Sequence, residues 1–152
     1  MTEKLKTASS LTNNMKLLLD TCALIWLAEG DQRFQLSPSK NKIEKSFREN
    51  QFYISSITLW EISMLNSKNR LQMNTPVLNW LKTCIQKYNL QIIQISPEIA
   101  VESCQLPGGF HADPADRMIV ASARVHGLTL LTEDQLILDY GKNGLLKVLN
   151  CF

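Results

Sequence analysis

Four acidic residues draw attention first: Asp20, Glu61, Asp116 and Asp134. Asp20 closes the apolar run Leu17-Leu18-Leu19, and Glu61 sits between Trp60 and Ile62. A carboxylate in such company costs several kcal/mol unless it is paired or bound to a cation. The acids near the other two also have local explanations. Asp113 is placed to cap a helix that begins at Pro114, Asp116 then falls in its first turn, and Asp134 precedes another helical segment. If the four meet, their like charges raise one another's pKa, a penalty that a divalent ion reverses. An oxygen-only ligand set without His or Cys selects magnesium or manganese. Such a centre can bind a phosphodiester oxygen and acidify an attacking water. The sequence has no G-x-S-x-G elbow, no Walker loop and no G-x-G-x-x-G fingerprint, which leaves metal-assisted hydrolysis as the expected chemistry.

The elements that must position these acids follow from periodicity and punctuation. Strands are predicted at Lys16–Asp20, Phe52–Ser55, Gln91–Ile95, Thr129–Thr132 and Leu146–Leu149. Helices are predicted at Cys22–Glu29, Ser39–Asn50, Ile57–Asn66, Pro76–Tyr88, Pro97–Cys104, Pro114–His126 and Leu136–Tyr140. Thr75, Ser96 and Asp113 each precede a proline, the arrangement of an N-cap before Pro at the first helical position. Thr132 and Gln135 form a capping-box pattern before the last helix. Alternation of this kind argues for a mostly parallel sheet of about five strands between helical layers, a three-layer α/β/α domain spanning residues 15–152. Ligands of such sheets bind beyond the carboxyl ends of the strands. Asp20, Glu61 and Asp134 are expected at that rim, and Asp116 can reach it if its helix points there.

Composition is consistent with this reading. The chain has 152 residues, 45% hydrophobic and 20% charged, enough for one well-filled core. Residues 1–14 are polar and aperiodic and are expected to be a disordered tail, with no signal-peptide core. No apolar run approaches the roughly 18 residues of a membrane span, so a cytoplasmic protein is expected. Cys22, Cys84, Cys104 and Cys151 form no C-x-x-C pair and are read as small apolar residues. Net charge is +2, but Arg33, Lys40, Lys42, Lys45 and Arg48 form a basic segment, whereas Glu98 to Asp139 is acidic. That asymmetry suits a polyanion handled through cations, or else the basic stretch is the solvated face of a helix. Trp26, Trp60 and Trp80 fall at core spacing and are read as packing residues, and His111 and His126 as loop and helix-end residues.

Read together, the motifs carry a resemblance. Met15-Lys-Leu-Leu-Leu-Asp20-Thr-Cys-Ala-Leu-Ile-Trp26 resembles the opening of PIN-domain proteins, particularly the VapC-type toxins of bacterial toxin–antitoxin pairs. Ser56-Ile-Thr-Leu-Trp-Glu61-Ile is similar to their second motif. Leu106-Pro107, His111 and Asp113-Pro-Ala-Asp116-Arg-Met-Ile-Val-Ala-Ser-Ala are similar to their third, and Gly127-Leu-Thr-Leu-Leu-Thr132-Glu-Asp134 to their fourth. The resemblance implies an α/β/α fold, Mg2+- or Mn2+-dependent RNA cleavage, a VapB-like antitoxin whose tail blocks the site, and a homodimer. It implies that Asp20 and Asp116 are the principal metal ligands and that Asp134 completes the shell directly or through water. Glu61 would hold a second ion or orient the attacking water. Asp113 is an outer candidate, and Thr21, Ser56 and Thr132 are candidates for a hydroxyl near the site. Arg117 is either a phosphate contact or a salt bridge that fixes the acids, and Lys68 and Arg70 are placed to steer RNA. The sequence departs from close relatives at Cys22, where His is frequent, and at Ala115, where a large apolar residue is frequent. Two other classes are kept in view: a catalytically inactive module that only binds a regulator, and a phosphatase built on Asp20, against which Asp20-Thr21-Cys22 breaks the D-x-D pattern.

Overall fold

A computed structural model describes residues 14–152. The expected tail, residues 1–14, lies outside them except for Asn14. Five strands are formed: β1 (Leu17–Leu19), β2 (Phe52–Ser55), β3 (Gln91–Ile93), β4 (Thr129–Thr132) and β5 (Val148–Asn150). The described helices are α1 (Thr21–Ala28), α2 (Arg33–Leu36), α3 (Lys40–Arg48), α4 (Ser56–Ser67), α5 (Val77–Lys87), α6 (Pro97–Cys104), α7 (Pro114–His126) and α8 (Gln135–Lys142). The strands lie in the order β3-β2-β1-β4-β5 and every pairing is parallel. The expected fold class, a parallel sheet between helical layers, is therefore observed. Chain order reverses direction across the sheet on the two sides of β1, so a topological switch point lies at β1 and β4.

Apolar side chains on both faces bury this sheet. Leu17 and Leu19 point into one core with Phe52, Ile54 and Leu131, covered by α1, α3 and α5. Leu18 points the opposite way, with Ile93 and Leu130, into a second core formed with Ile99, Ile119, Val120 and Ile137 of α6, α7 and α8. Leu17, Leu18 and Leu19 are fully buried, which explains why β1 reads as a continuous apolar run rather than an alternating one. Gly127 ends α7 with φ +64°, a left-handed cap that glycine adopts without strain, and its N–H reaches Ala123 and Arg124 carbonyls.

Several local expectations are corrected. Helix α5 begins at Val77 with Pro76 in the cap position and no side-chain cap bond, so Thr75 is not its N-cap. No capping box forms at α8: Asp134 caps it through Oδ1, which accepts from Leu136 N and Ile137 N, while Gln135 reaches forward to Asp139. Strand β3 ends at Ile93 and β5 is shifted to Val148–Asn150. The short helix α2 is not signalled by any apolar period. Trp60 is 57% exposed rather than packed, because α4 buries Thr58 and Ile62 instead. Cys84 and Cys151 are buried as expected of small apolar residues, but Cys22 and Cys104 are exposed. The basic helix α3 buries only Ile43 and Ser46, so its lysines form a solvated face.

Packing of α8 on β5 has no slack. A Cβ at Gly141 would lie 2.5 Å from one Val148 methyl and 2.8 Å from the other. Gly141→Ala should therefore destabilise the fold by about 1–3 kcal/mol through overpacking. Urea unfolding checks this, and Val148→Ala in the same chain should recover part of the loss; equal midpoints for Gly141→Ala and the parent would refute the close contact.

Candidate metal centre

Asp20 is the first residue beyond β1. Its amide continues the sheet by donating to Leu131 O at 3.1 Å, and its side chain caps α1, with Oδ1 accepting from Ala23 N at 2.7 Å. Asp20 thus has a helix-start role that the sequence reading did not assign it. The Thr132 hydroxyl donates to Oδ2 at 2.5 Å and accepts from Asp134 N at 3.0 Å. One threonine therefore joins the ends of β1 and β4. At 8% exposure Asp20 is almost wholly withdrawn from solvent.

Glu61, one turn into α4, accepts from the Thr21 hydroxyl at 2.6 Å, and Thr21 also lies 3.3 Å from Thr58 Oγ1. Asp116 is delivered by α7. Asp113 caps that helix and its Oδ1 accepts from Asp116 N at 2.9 Å, which sets the first turn. Asp134 caps α8 at the carboxyl end of β4. A single cleft of about 480 Å³ is lined by Asp20, Glu61, Asp116 and Asp134, together with Thr21, Cys22, Trp26, Arg33, Leu65 and Glu133. It opens at the switch point of the sheet.

Acids outnumber cations in this cleft, whose lining has Arg33 as its one cation among the described residues. Burial pushes the Asp20 carboxyl up from its ordinary 3.8 to about 6, opposed by the Thr132 and Ala23 hydrogen bonds and assisted by the charges of Asp134 and Glu61. Asp116 is pushed up to about 7, first by burial and then by Asp113, Glu61, Asp134 and Asp20. Glu61 is raised by burial, against the Thr21 hydrogen bond. Cys22 is exposed overall but lines the cleft, where desolvation on that side and then the charges of Asp20, Glu61, Asp116 and Asp134 raise its thiol to about 11, so it stays protonated. His111 Nε2 lies 3.4 Å from Asp116 Oδ2, and Nδ1 accepts from Asp113 N. Nε2 makes no hydrogen bond among the described residues.

The remaining sequence candidates are placed differently. Arg117 neither bridges to the acids nor faces the cleft: it donates to the carbonyls of Ser103, Phe110 and His111, tying down the loop before α7. Ser56 does not line the cleft, and neither do Lys68 and Arg70, which are exposed at the far end of α4. Trp26, Arg33, Glu133 and Leu65 also line it: Trp26 and Glu133 fall within the motifs but were expected as a packing residue and as no site residue, Arg33 belongs to the basic segment, and Leu65 carries no sequence signal. Among the described residues no three His, Cys, Asp or Glu side chains are drawn to the spacing of a closed metal shell. The donor set nevertheless suits a hard divalent ion. It consists of carboxylate oxygens, and the two most strongly perturbed acids have no Lys or Arg ion pair among the described residues.

Fold and cleft together define an α/β domain with an acidic centre at the sheet's switch point. A PIN-domain family model matches residues 17–143, and the chain belongs to the PIN-domain family. Ribonuclease VapC22 of Mycobacterium tuberculosis is 32% identical over 119 residues, covering 78% of this chain and 87% of that protein. Two solved assemblies share the fold. VapBC2 from Rickettsia felis bound to a promoter DNA fragment has a TM-score of 0.64 and 21% identity, covering 88% of this chain and 97% of the matched one. DNA-bound VapBC from Salmonella typhimurium has a TM-score of 0.65 and 20% identity, covering 91% and 99%.

The raised carboxyls fix the sign of a pH effect. Without metal, the folded state holds more protons than the unfolded chain between about pH 4 and 7. The resulting penalty is absent below the unfolded value and complete above the folded ones, so stability should fall as pH rises through this window. Urea unfolding in chelator at about pH 5 and 7.5 should show a loss on the order of 1–2 kcal/mol that Asp116→Asn reduces. Identical slopes for parent and variant would contradict the charge assignment.

Proposed function

We propose that this protein is a metal-dependent endoribonuclease, the toxin half of a VapBC-type pair, acting in the cytoplasm on RNA. The observation that carries the reading is the meeting of Asp20, Glu61, Asp116 and Asp134 in one cleft with no guanidinium or ammonium paired to Asp20 or Asp116 among the described residues. The 32% identity to a ribonuclease supports the substrate class. Likeness to VapBC assemblies supports the fold through which an antitoxin would be met. Homodimerisation belongs to the same reading. Among the described residues no helix is long and apolar enough to cross a membrane.

Asp20 and Asp116 are the principal candidates to hold a magnesium or manganese ion, with Asp134 completing the shell and Glu61 positioned either for a second ion or for the attacking water. The chemistry such an ion supplies when bound is charge neutralisation at a phosphodiester oxygen and acidification of a water. The chain's own groups do the rest. Thr132 fixes the rotamer of Asp20, and Thr21 fixes that of Glu61. A Glu61 carboxylate held in this way can accept a proton from a water lined up on phosphorus. His111 faces Asp116, and Asp113 sets the turn that presents it.

Asp20→Asn and Asp116→Asn should each lower the cleavage rate of a labelled single-stranded RNA by at least about a hundredfold, on the scale of lost transition-state stabilisation, with the fold retained by circular dichroism. Chelator should stop the reaction, and Mn2+ or Mg2+ should restore it and raise the melting temperature. Cleavage at the parent rate by Asp20→Asn would remove this site from the reaction. Thr21→Val should reduce the rate about tenfold without abolishing the metal-induced rise in melting temperature, because it frees Glu61 rather than deleting it.

A further inference from the structure

Arg33 is the one cation lining the acidic cleft among the described residues, and nothing in the proposed reaction yet uses it. It is held with unusual firmness for a side chain that is 50% exposed. Its Nε donates to both Asp31 oxygens at 3.1 Å and its Nη2 to Asp31 Oδ2 at 2.7 Å. The guanidinium carbon lies 4.0 Å from the Phe152 ring centroid and 5.0 Å from that of Trp26. Nη1 stands 3.6 Å from Glu133 Oε2, a contact longer than a hydrogen bond. Asp31 therefore engages one edge of the fork and the aromatic rings hold its plane. The Nη1 edge keeps donors free at the wall of the cleft.

We propose that Arg33 binds the RNA phosphate next to the scissile one, so that it is a substrate-positioning residue of the same cleft; this rests on the ribonuclease reading for the identity of the scissile phosphate. An RNA strand entering the cleft brings a flanking phosphate within a few ångströms of the metal-binding acids. Asp20, Glu61, Asp116, Glu133 and Asp134 repel that phosphate, and Arg33 is the local group that can offset them. A planar guanidinium already ordered by Asp31 and Phe152 loses little further freedom on taking up a phosphate. The basic helix α3 cannot substitute for it. Ser46 of that helix bonds Met15 O at the amino end of β1, whereas the cleft lies at the carboxyl end.

Binding is measured by fluorescence anisotropy of a labelled single-stranded RNA in the slowly cleaving Glu61→Gln chain with Mn2+, which keeps Asp20 and Asp116, and cleavage is measured separately in the otherwise native chain. Arg33→Gln should weaken binding and raise KM about tenfold and reduce the salt slope of log K by about 0.7, the single-strand value for one phosphate contact. Arg33→Lys should recover part of the affinity. An RNA with an uncharged methylphosphonate at the flanking position should bind the Arg33 and Arg33→Gln chains equally, a result that a merely structural role does not produce. The Mn2+-induced rise in melting temperature in Arg33→Gln serves as the control for an intact cleft. Unchanged affinity and salt slope in Arg33→Gln would overturn the proposal, as would no RNA binding by the Glu61→Gln chain or a persisting difference with the methylphosphonate. If the native chain does not cleave RNA yet these binding differences hold, the phosphate contact stands and the ribonuclease reading falls.

Discussion

Placing a carboxylate at the end of the most deeply buried strand is the constraint around which the rest of this domain is arranged. Leu17, Leu18 and Leu19 are sealed between two cores, so the residue that follows them cannot leave its polar atoms to solvent. Asp20 is accommodated because Oδ1 receives the Ala23 amide in the first turn of α1 and Oδ2 receives the hydroxyl of Thr132. Those bonds join β1, α1 and β4 at one point. They compensate for the lost hydration only in part, since the carboxyl remains shifted upward to about 6. The residual penalty is what a bound cation would relieve.

The acids of the cleft and the helix caps are largely the same residues. Asp20 caps α1, Asp134 caps α8, and Asp113 caps α7 and so presents Asp116 one turn on. A cap must accept an amide hydrogen bond, and a carboxylate has two oxygens. In Asp134 both amides converge on Oδ1, and among the described residues no donor meets Oδ2. Cap and ligand duties are thus compatible in one side chain, and the helix amino ends that converge on the cleft add partial positive charge where the acids gather. Local stability and the geometry of the centre are in this way coupled through shared atoms.

That sharing also explains what was legible in the sequence. The four acids could be picked out because burial context and strand ends leave a trace in the letters: Asp20 after three leucines, Glu61 beside Ile62, Asp134 after Thr132. The parallel sheet was legible because alternating strand and helix periods admit few topologies. The supporting contacts were not. Thr132 looked like half of a capping box with Gln135, whereas its hydroxyl is used across 112 residues of chain on Asp20. Arg117 stands beside Asp116 in sequence, but on a helix adjacent residues do not share a face, and its guanidinium turns to the Ser103 and Phe110 carbonyls. Trp60 lies beside Glu61 and remains exposed for the same reason. Arg33, Trp26 and Phe152 meet only because α2 folds back toward the end of the chain, a tertiary event without a periodic signature.

Distribution of charge sets a further limit on how a polyanion could be held. The lysines of α3 lie near Met15, at the opposite end of the sheet from Asp20. Five residues of extended chain separate the two ends, about 16 Å at the usual strand rise, which exceeds the ~8 Å over which exposed charges are felt at physiological salt. The net +2 of the whole chain is therefore of little use at the cleft, where the lining is dominated by acids. A strand of RNA approaching metal-free protein meets repulsion from Asp20, Glu61, Asp116 and Asp134 with Arg33 alone opposing it. On the proposed reading, cation and substrate must then be thermodynamically linked: each lowers the free energy of binding the other, and the coupling is reciprocal. An acidic cleft in a mildly basic protein is accordingly consistent with an RNA substrate, provided the cation is treated as part of the binding surface and not only as the agent of hydrolysis.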